Sequence, residues 1–238
     1  MNGDLVSDGS SQSEWVRFDQ LMTPVRNAAI PVLVALGNHD YWGDNRKALE
    51  KSEIRFPQLG QKHWYERTYG NLGLVFLDSN KSEMSVSQWN EQISWFNSQM
   101  SQLQADSAIK GVFVFTHHPP YTNSTTTGDE TDVQDAFVGT FSATEKAIAL
   151  ISGHAHTYEH FNIRGKTFIV SGGGGGPRVK LLEGAQRRHE DLFSEASPRP
   201  FNYLKIAPVS GAVRITVMGL DKGASDFHVI DEFILPMR

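Results

Sequence analysis

The 238-residue chain contains no cysteine. Disulfides and thiolate metal sites are therefore excluded, and any metal ion must be held by His, Asp, Glu or Asn. No apolar run approaches the length of a membrane-spanning helix. No Pro- or Ser-rich linker and no long charge run marks a boundary, so residues 1–238 read as one domain. Positive charge is also scarce: 22 Lys and Arg stand against 27 Asp and Glu, and the net charge of −5 argues against a nucleic-acid or anionic-membrane partner. The one basic stretch, Arg178–Arg188, has acidic residues within and beside it and reads as a solvated loop. The opening MNGDLVSDG lacks a basic segment followed by an apolar one, so no secretory signal is visible.

What is present alternates between two periods. Ser11-Gln12-Ser13-Glu14 forms a capping-box pattern, followed by Trp15, Phe18, Leu21, Met22 and Val25 at helical spacing. Pro24 is expected to kink or end that helix. Pro31–Leu36 is a short apolar run that predicts a strand buried on both faces. His63–Tyr69 and Leu72–Asp78 flank Gly70-Asn71 as a hairpin. A second capping box at Ser85–Gln88 precedes Trp89, Ile93, Phe96, Met100 and Leu103, an amphipathic helix. Val112–Phe115 predicts another buried strand, Phe141–Leu150 a helix, and Leu182–Arg199 a long polar loop. From Thr167 the pattern turns to strands: 167–170, 203–206, 213–217 and 227–234. Helix and strand alternating, then a run of strands, predicts sheets covered by helices.

Polar residues capable of binding metal sit at the ends of three apolar runs. Pro31–Leu36 ends in Gly37-Asn38-His39-Asp40, Val112–Phe115 in Thr116-His117-His118-Pro119-Pro120, and Ala149–Ser152 in Gly153-His154-Ala155-His156. Of nine histidines, His39, His117, His118, His154, His156 and His160 fall in or beside these tails, a clustering that independent placement does not explain. Ligands bind at the carboxyl ends of strands in such sheets. Gly37 and Gly153 allow a sharp turn, so the following side chains can point into one space. His154 and His156, two apart, project from the same side of an extended segment. Asn38 offers a neutral oxygen, and Asp4, in Gly3-Asp4, a carboxylate able to bridge two ions.

The series Gly-Asp, Gly-Asn-His-Asp, His-x-Pro-Pro and Gly-His-x-His, from Gly3 to His156, resembles the motifs of calcineurin-like metallophosphoesterases. The tails Thr157-Tyr158-Glu159-His160 and His117–Tyr121 are most similar to the branch containing purple acid phosphatases. The resemblance implies an α/β fold, a four-layer αββα sandwich of two mixed sheets flanked by helices. It implies hydrolysis of a small-molecule phosphoester by two divalent or trivalent metal ions, Mn, Zn or Fe. Asp4 would bridge both ions. Asn38, His117 and His154 would complete one site, and His156 would serve the other. His39 would approach the leaving oxygen as general acid or stabilise the transition state, with Asp40 orienting and charging it. His39 and Asn38 would contact substrate, and so would Tyr158, for which packing is an equally good reading. His118, at the variable position of its motif, is not an expected ligand. The branch also suggests a periplasmic or secreted location.

Two departures qualify the resemblance. The family's opening Asp-x-His motif, with the strand that leads into Gly-Asp, is not found, so we expect a chain shortened at its N-terminus, with Asp4 and His156 alone left for the second ion. Purple acid phosphatases place an iron-binding tyrosine three residues after the Gly-Asp aspartate, and here that residue is Ser7. Among the remaining residues, Gly172–Gly176 reads as a turn near the site mouth. Trp42 reads as pocket wall or core, Tyr121 as pocket or packing, and Asp8 and Asp78 as turn or cap residues.

Overall fold

The computed structural model describes residues 1–238. Helix α1 (Gln12–Asn27) opens at Ser11, whose hydroxyl accepts the N–H of Glu14. The reciprocal half of the expected capping box is missing, because the Glu14 carboxylate turns back to the N–H groups of Ser7 and Asp8. Pro24 does not end the helix, which runs on to Asn27. Placed in the last turn, it removes one ladder bond near an end that frays anyway. Helix α2 (Asn45–Arg55) is capped by Asp44. Strands β1 (Tyr65–Tyr69) and β2 (Leu72–Phe76) form the expected hairpin, and Gly70 adopts the φ of 59° that a tight turn requires. Helix α3 (Val86–Ala105) has the full Ser85–Gln88 capping box and buries Trp89, Phe96, Met100 and Leu103.

Strand β3 (Gly111–Phe115) is followed by short helical pieces at Thr131–Val133, Gln134–Val138 and Gly139–Ala143. The helix expected over Phe141–Leu150 stops at Ala143, and Ala147–Ser152 is strand β4, buried along its whole length. A short apolar run beside two other strands gains more from ladder bonds on both edges than from helical ones. Strands β5 (Tyr158–Ile163) and β6 (Lys166–Ser171) complete a six-stranded sheet in the order β1-β2-β3-β4-β6-β5. Its inner strands are parallel, and β1 and β5 are antiparallel edges. Strands β7 (Phe201–Val209), β8 (Ala212–Leu220) and β9 (His228–Pro236) form a separate three-stranded sheet, fully antiparallel rather than mixed.

The two sheets face each other across a core of Phe113, Ile151, Tyr158, Ile169, Val213, Ile215 and Val217. On the far face of the larger sheet, α3 and the 131–143 helical pieces bury Phe96, Phe137 and Phe141. α1 packs on the β1-β2 end of the larger sheet, with Trp15 and Phe18 in one cluster with Tyr65 and Phe76. Tyr203, Lys205, Ala207, Arg214 and Ile234 are exposed on the outside of the smaller sheet. The expected second helical layer is therefore not on that side. The strand expected at Pro31–Leu36 is reduced to an isolated parallel bridge between Asn2 and Ala35, and only Val34–Leu36 are buried. The Tyr65 hydroxyl substitutes for a neighbouring strand there, accepting the N–H of Val34 at 2.9 Å and donating to its carbonyl at 2.8 Å.

A buried polar network ties β2 to the turn at His39–Tyr41. The Tyr41 hydroxyl donates its only proton to Asp78, so its oxygen accepts from His63 Nδ1–H at 3.1 Å. His63 Nε2 lies 3.1 Å from the Glu53 carboxylate. Both ring nitrogens thus act as donors. Burial opposes the charge, but Asp78 and Glu53 outweigh it and raise the pKa of His63 above the ordinary value. A raised folded-state pKa gives stability that is complete below the unfolded value, about 6.5, and is lost as pH rises through the folded one. The gap in unfolding free energy between wild type and His63→Gln is therefore expected to be widest near about pH 6 and to shrink toward about pH 9, measured by urea titration. Ser85→Ala, which removes the α3 cap, is expected to cost about 1 kcal/mol in the same assay.

Candidate metal centre

The parallel strands β2, β3 and β4 end side by side, and their carboxyl ends carry Ser79, His117 with His118, and His154. Ladder bonds continue past the strands: Thr116 N–H donates to Ile151, and Gly153 N–H to His117. Gly3-Asp4 and Gly37-Asn38-His39 come in from the other side. Gly3, Asp4 and His39 border a cleft of about 850 Å³ between residues 1–7, α1 and β7.

His117 is buried, and its Nδ1 lies 2.6 Å from the Asn2 carbonyl. A carbonyl only accepts, so Nδ1 carries the hydrogen and Nε2 faces the cleft side. Nε2 lies 3.1 Å from Asn38 Oδ1, 3.1 Å from His154 Nδ1 and 3.3 Å from Asp4 Oδ2. Four electron-pair donors therefore converge on one small volume. The Asp4 and Asn38 oxygens carry no proton of their own, so a positive centre suits the group. A proton does this in part: burial opposes charging of His117, but the Asp4 carboxylate raises its pKa. Burial would raise the pKa of Asp4, yet the hydrogen bond and charge of His117 hold it down at about 2. Burial, then the charge of His117, pushes His154 down to about 4. Carboxylate, amide oxygen and two imidazoles form a donor set that suits Mn, Zn or Fe, and the Asn2 carbonyl fixes the His117 tautomer as carbonyls behind metal-binding histidines do.

The close approach depends on glycine. A Cβ on Gly37 would collide with Asp4 Oδ1 and come within 2.8 Å of His117 Cε1; one on Gly3 would lie 2.5 Å from His117 Nδ1. Asp4 itself sits at φ 52° and His154 at φ 58°, left-handed conformations that aim both side chains inward. His156 lines the same cleft, and its Nδ1–H donates to the Pro177 carbonyl at 3.0 Å, leaving Nε2 free. Gly176 gives that ring room, since a Cβ there would lie 2.5 Å from it. Gly172 and Gly174–Gly176 line the cleft, where the glycine run was expected.

His39 also borders the cleft. Its Nδ1–H donates to the Ser7 carbonyl at 2.9 Å, its Nε2 lies 4.0 Å from Asp4 Oδ2, and its ring packs on Trp42 at 3.6 Å between centroids. Asp40 does not orient it. The Asp40 carboxylate is fully buried and accepts the N–H groups of Leu5 at 2.9 Å and Gly37 at 2.8 Å. In the tight turn His39–Tyr41, adjacent side chains point apart, so Asp40 clamps together the two loops that carry Asp4 and Asn38. Burial pushes its pKa up to about 7. Tyr158 is also not at the site: it lies fully buried between the sheets and donates its hydroxyl to Asp231 on β9 at 2.7 Å. It opens β5 on the face turned toward the smaller sheet and does not line the cleft. Tyr121 packs on Phe168 and His189.

The structure adds His118 to the group. One ring nitrogen each of His117, His118 and His154 lies within 4.8 Å of the others. Thr116 Oγ1 donates to the His118 carbonyl and Ser79 Oγ accepts its N–H, so this segment is a turn and not an extended strand in which neighbours face apart. Nothing in the motif spacing announces this. The supporting carbonyls of Asn2, Ser7 and Pro177 leave no trace in the sequence either, because any residue supplies one. Asp40→Asn keeps one acceptor but sets an NH₂ against a backbone N–H. It is expected to lower unfolding free energy by about 1–3 kcal/mol, read by denaturant titration.

The sequence profile of calcineurin-like phosphoesterases matches residues 1–158, which include all the converging side chains. The fold is similar to GAP50, the anchor in the inner membrane complex of Plasmodium, with 15% identity and a TM-score of 0.61 over 87% of this chain and 66% of that one. This chain thus spans just under two thirds of that protein's solved length. The fold is also similar to a dimetal phosphatase from Danio rerio, with 14% identity and a TM-score of 0.58 over 100% of this chain and 82% of that one. No curated protein sequence matches. At such identities the two structures speak for the fold alone, while the profile extends over more than half of the residues: the chain belongs to the calcineurin-like phosphoesterase family.

Proposed function

We propose that this chain hydrolyses small phosphoric esters, mono- or diesters, with a dinuclear metal centre. The observation that carries the reading is the convergence of Asp4, Asn38, His117 and His154 on the His117 Nε2 position. Two bound ions would neutralise phosphoryl oxygens and lower the pKa of water from about 15.7 toward about 7. The chain's own residues do the rest. Asn2 holds His117 so that Nε2 stays available. Asp4 stands between the His117 side and the His39 side, where a shared carboxylate belongs. His156 presents Nε2 as the further donor for the second ion. His39, with Nδ1–H committed to Ser7, holds any second proton at Nε2, on the Asp4 side, and there it can pass to the departing ester oxygen. Asn38 meets the substrate as well as the ion.

No lysine or arginine lines the cleft. A phosphate entering it is therefore met by the ions and the histidines, and a polyanionic nucleic acid finds no basic track to follow. A second reading, a metal- or phosphate-binding domain without turnover, draws on one observation: the second ion has only Asp4 and His156 from this chain. The Plasmodium neighbour, whose name is that of an anchor, illustrates such a use of the fold.

Metal content by mass spectrometry, together with hydrolysis of 4-nitrophenyl phosphate and bis(4-nitrophenyl) phosphate under added Mn, Zn or Fe, separates the two. His39→Ala is expected to lower kcat by about 100-fold or more with metal content unchanged. His154→Ala should lose bound metal. Metal-dependent turnover supports the enzyme; one equivalent of metal with no turnover of either ester supports the binding domain, and no bound metal at all overturns both.

A further inference from the structure

His118 has no role in the reading above, yet its ring centroid lies 4.5 Å from that of His154 and 4.8 Å from that of His117. It is partly buried, and its Nδ1 lies 2.9 Å from Ser79 Oγ. The same hydroxyl oxygen accepts the His118 backbone N–H at 3.0 Å. Ser79 is itself 4% exposed and sits just beyond the end of β2. Ring and backbone of His118 are thus pinned by one buried hydroxyl, and Nε2 is the nitrogen left without a protein partner. Thr116 Oγ1, donating to the His118 carbonyl at 3.0 Å, holds the turn that puts both neighbouring histidines on the cluster side.

We propose that His118 is an additional nitrogen donor to the ion held by Asp4, Asn38, His117 and His154, with Ser79 as its positioning residue. The separation supports this. Two donors on one ion, each at about 2.0–2.1 Å, lie at most about 4.2 Å apart when opposite. An upper bound of 4.8 Å among the three histidine nitrogens leaves a movement of a fraction of an ångström for closure. Ser79 fits the pattern in which an outer hydrogen bond to one ring nitrogen fixes the orientation of the other. The consequence is a site with three imidazoles, one amide and one carboxylate. Such a nitrogen-rich set shifts preference from Mn toward Zn or Co, because imidazole suits the later metals while carboxylate and carbonyl suit the earlier ones.

The inference rests on the metal-centre reading, and its test uses binding rather than turnover. Zn²⁺ affinity is measured on the full chain by chelator competition, and the visible spectrum of the Co²⁺-loaded protein reports the ligand field. His118→Phe keeps the ring volume without the nitrogens, and His118→Asn serves if the phenylalanine variant does not fold, as judged by circular dichroism. Either is expected to weaken Zn²⁺ binding by about tenfold or more and to change the Co²⁺ spectrum. Ser79→Ala should weaken binding by about tenfold while changing the spectrum less. Mn²⁺ binding should fall by a smaller factor than Zn²⁺ binding in the His118 variants. If wild type binds Zn²⁺ and a folded His118 variant binds it equally, with the same Co²⁺ spectrum, the inference is overturned while the metal centre stands. If wild type binds neither ion, both go.

Discussion

The hydrogen bond from His117 Nδ1–H to the Asn2 carbonyl organises the site more than any other contact. It joins residues 115 positions apart in sequence. It decides which nitrogen of a buried ring faces the cleft, and so whether Asp4, Asn38 and His154 surround an N–H or an electron pair. The glycines around it follow from that single placement. Gly3 lies against Nδ1, Gly37 lies against the other side of the ring, and a Cβ on Gly153 would come within 2.8 Å of the Asn2 oxygen. A larger residue at any of them would move the ring or its acceptor. The sheet contributes by ending β3 and β4 level, so that His117 and His154 arrive at the same height.

Electrostatics makes this arrangement poised rather than restful. Asp4 and Asp40 are both withdrawn from water, and the charge of one helps raise the pKa of the other, after burial. The protein meets the cost with hydrogen bonds. Asp40 accepts two backbone N–H groups, and Asp4 accepts the His39 N–H at 3.0 Å and leans on His117. Those bonds also fix the loops, so the donors stand near their working positions before an ion arrives. Asp4 and His154, held at positive φ, add backbone strain at the same point. Strain and crowded acceptors at one spot, with rigid sheets on either side, are what a preformed cation site requires.

The sequence displayed some of this and hid the rest for definite reasons. Helix α3 was legible because its apolar spacing and capping box agree at two levels. The gathering of His117, His154 and His156 at the cleft was legible because an apolar run followed by Gly or Thr and then polar residues marks a strand end, and parallel strands place their ends together. Tyr158 turned out to be packing rather than pocket, a choice left open because alternation along β5 gives two faces without saying which one meets the second sheet. Asp40 was misassigned because adjacency in sequence is not adjacency of side chains in a tight turn. His118 was set aside because it stands at the variable position of its motif, and motif spacing does not reveal the turn that Thr116 and Ser79 make there. Pro31–Leu36 has a strand's composition, but the Tyr65 hydroxyl occupies the backbone groups that a neighbouring strand would use.

The cleft wall bears on how the site selects what it binds. Its floor is apolar, with Phe115 and Ile151 from the larger sheet and Leu204 and Ile206 from β7. Its charged and metal-capable groups, Asp4, His39, His117, His154 and His156, gather on one side. No lysine or arginine lines the cleft, so a positive charge at the His117 position, a proton or an ion, is what offsets the Asp4 carboxylate there. In the proposed function, affinity for an anion and capacity for chemistry share one gate, the loading of that position. Apolar wall and cation-binding side chains thus face one space, the combination by which small-molecule sites join affinity to orientation.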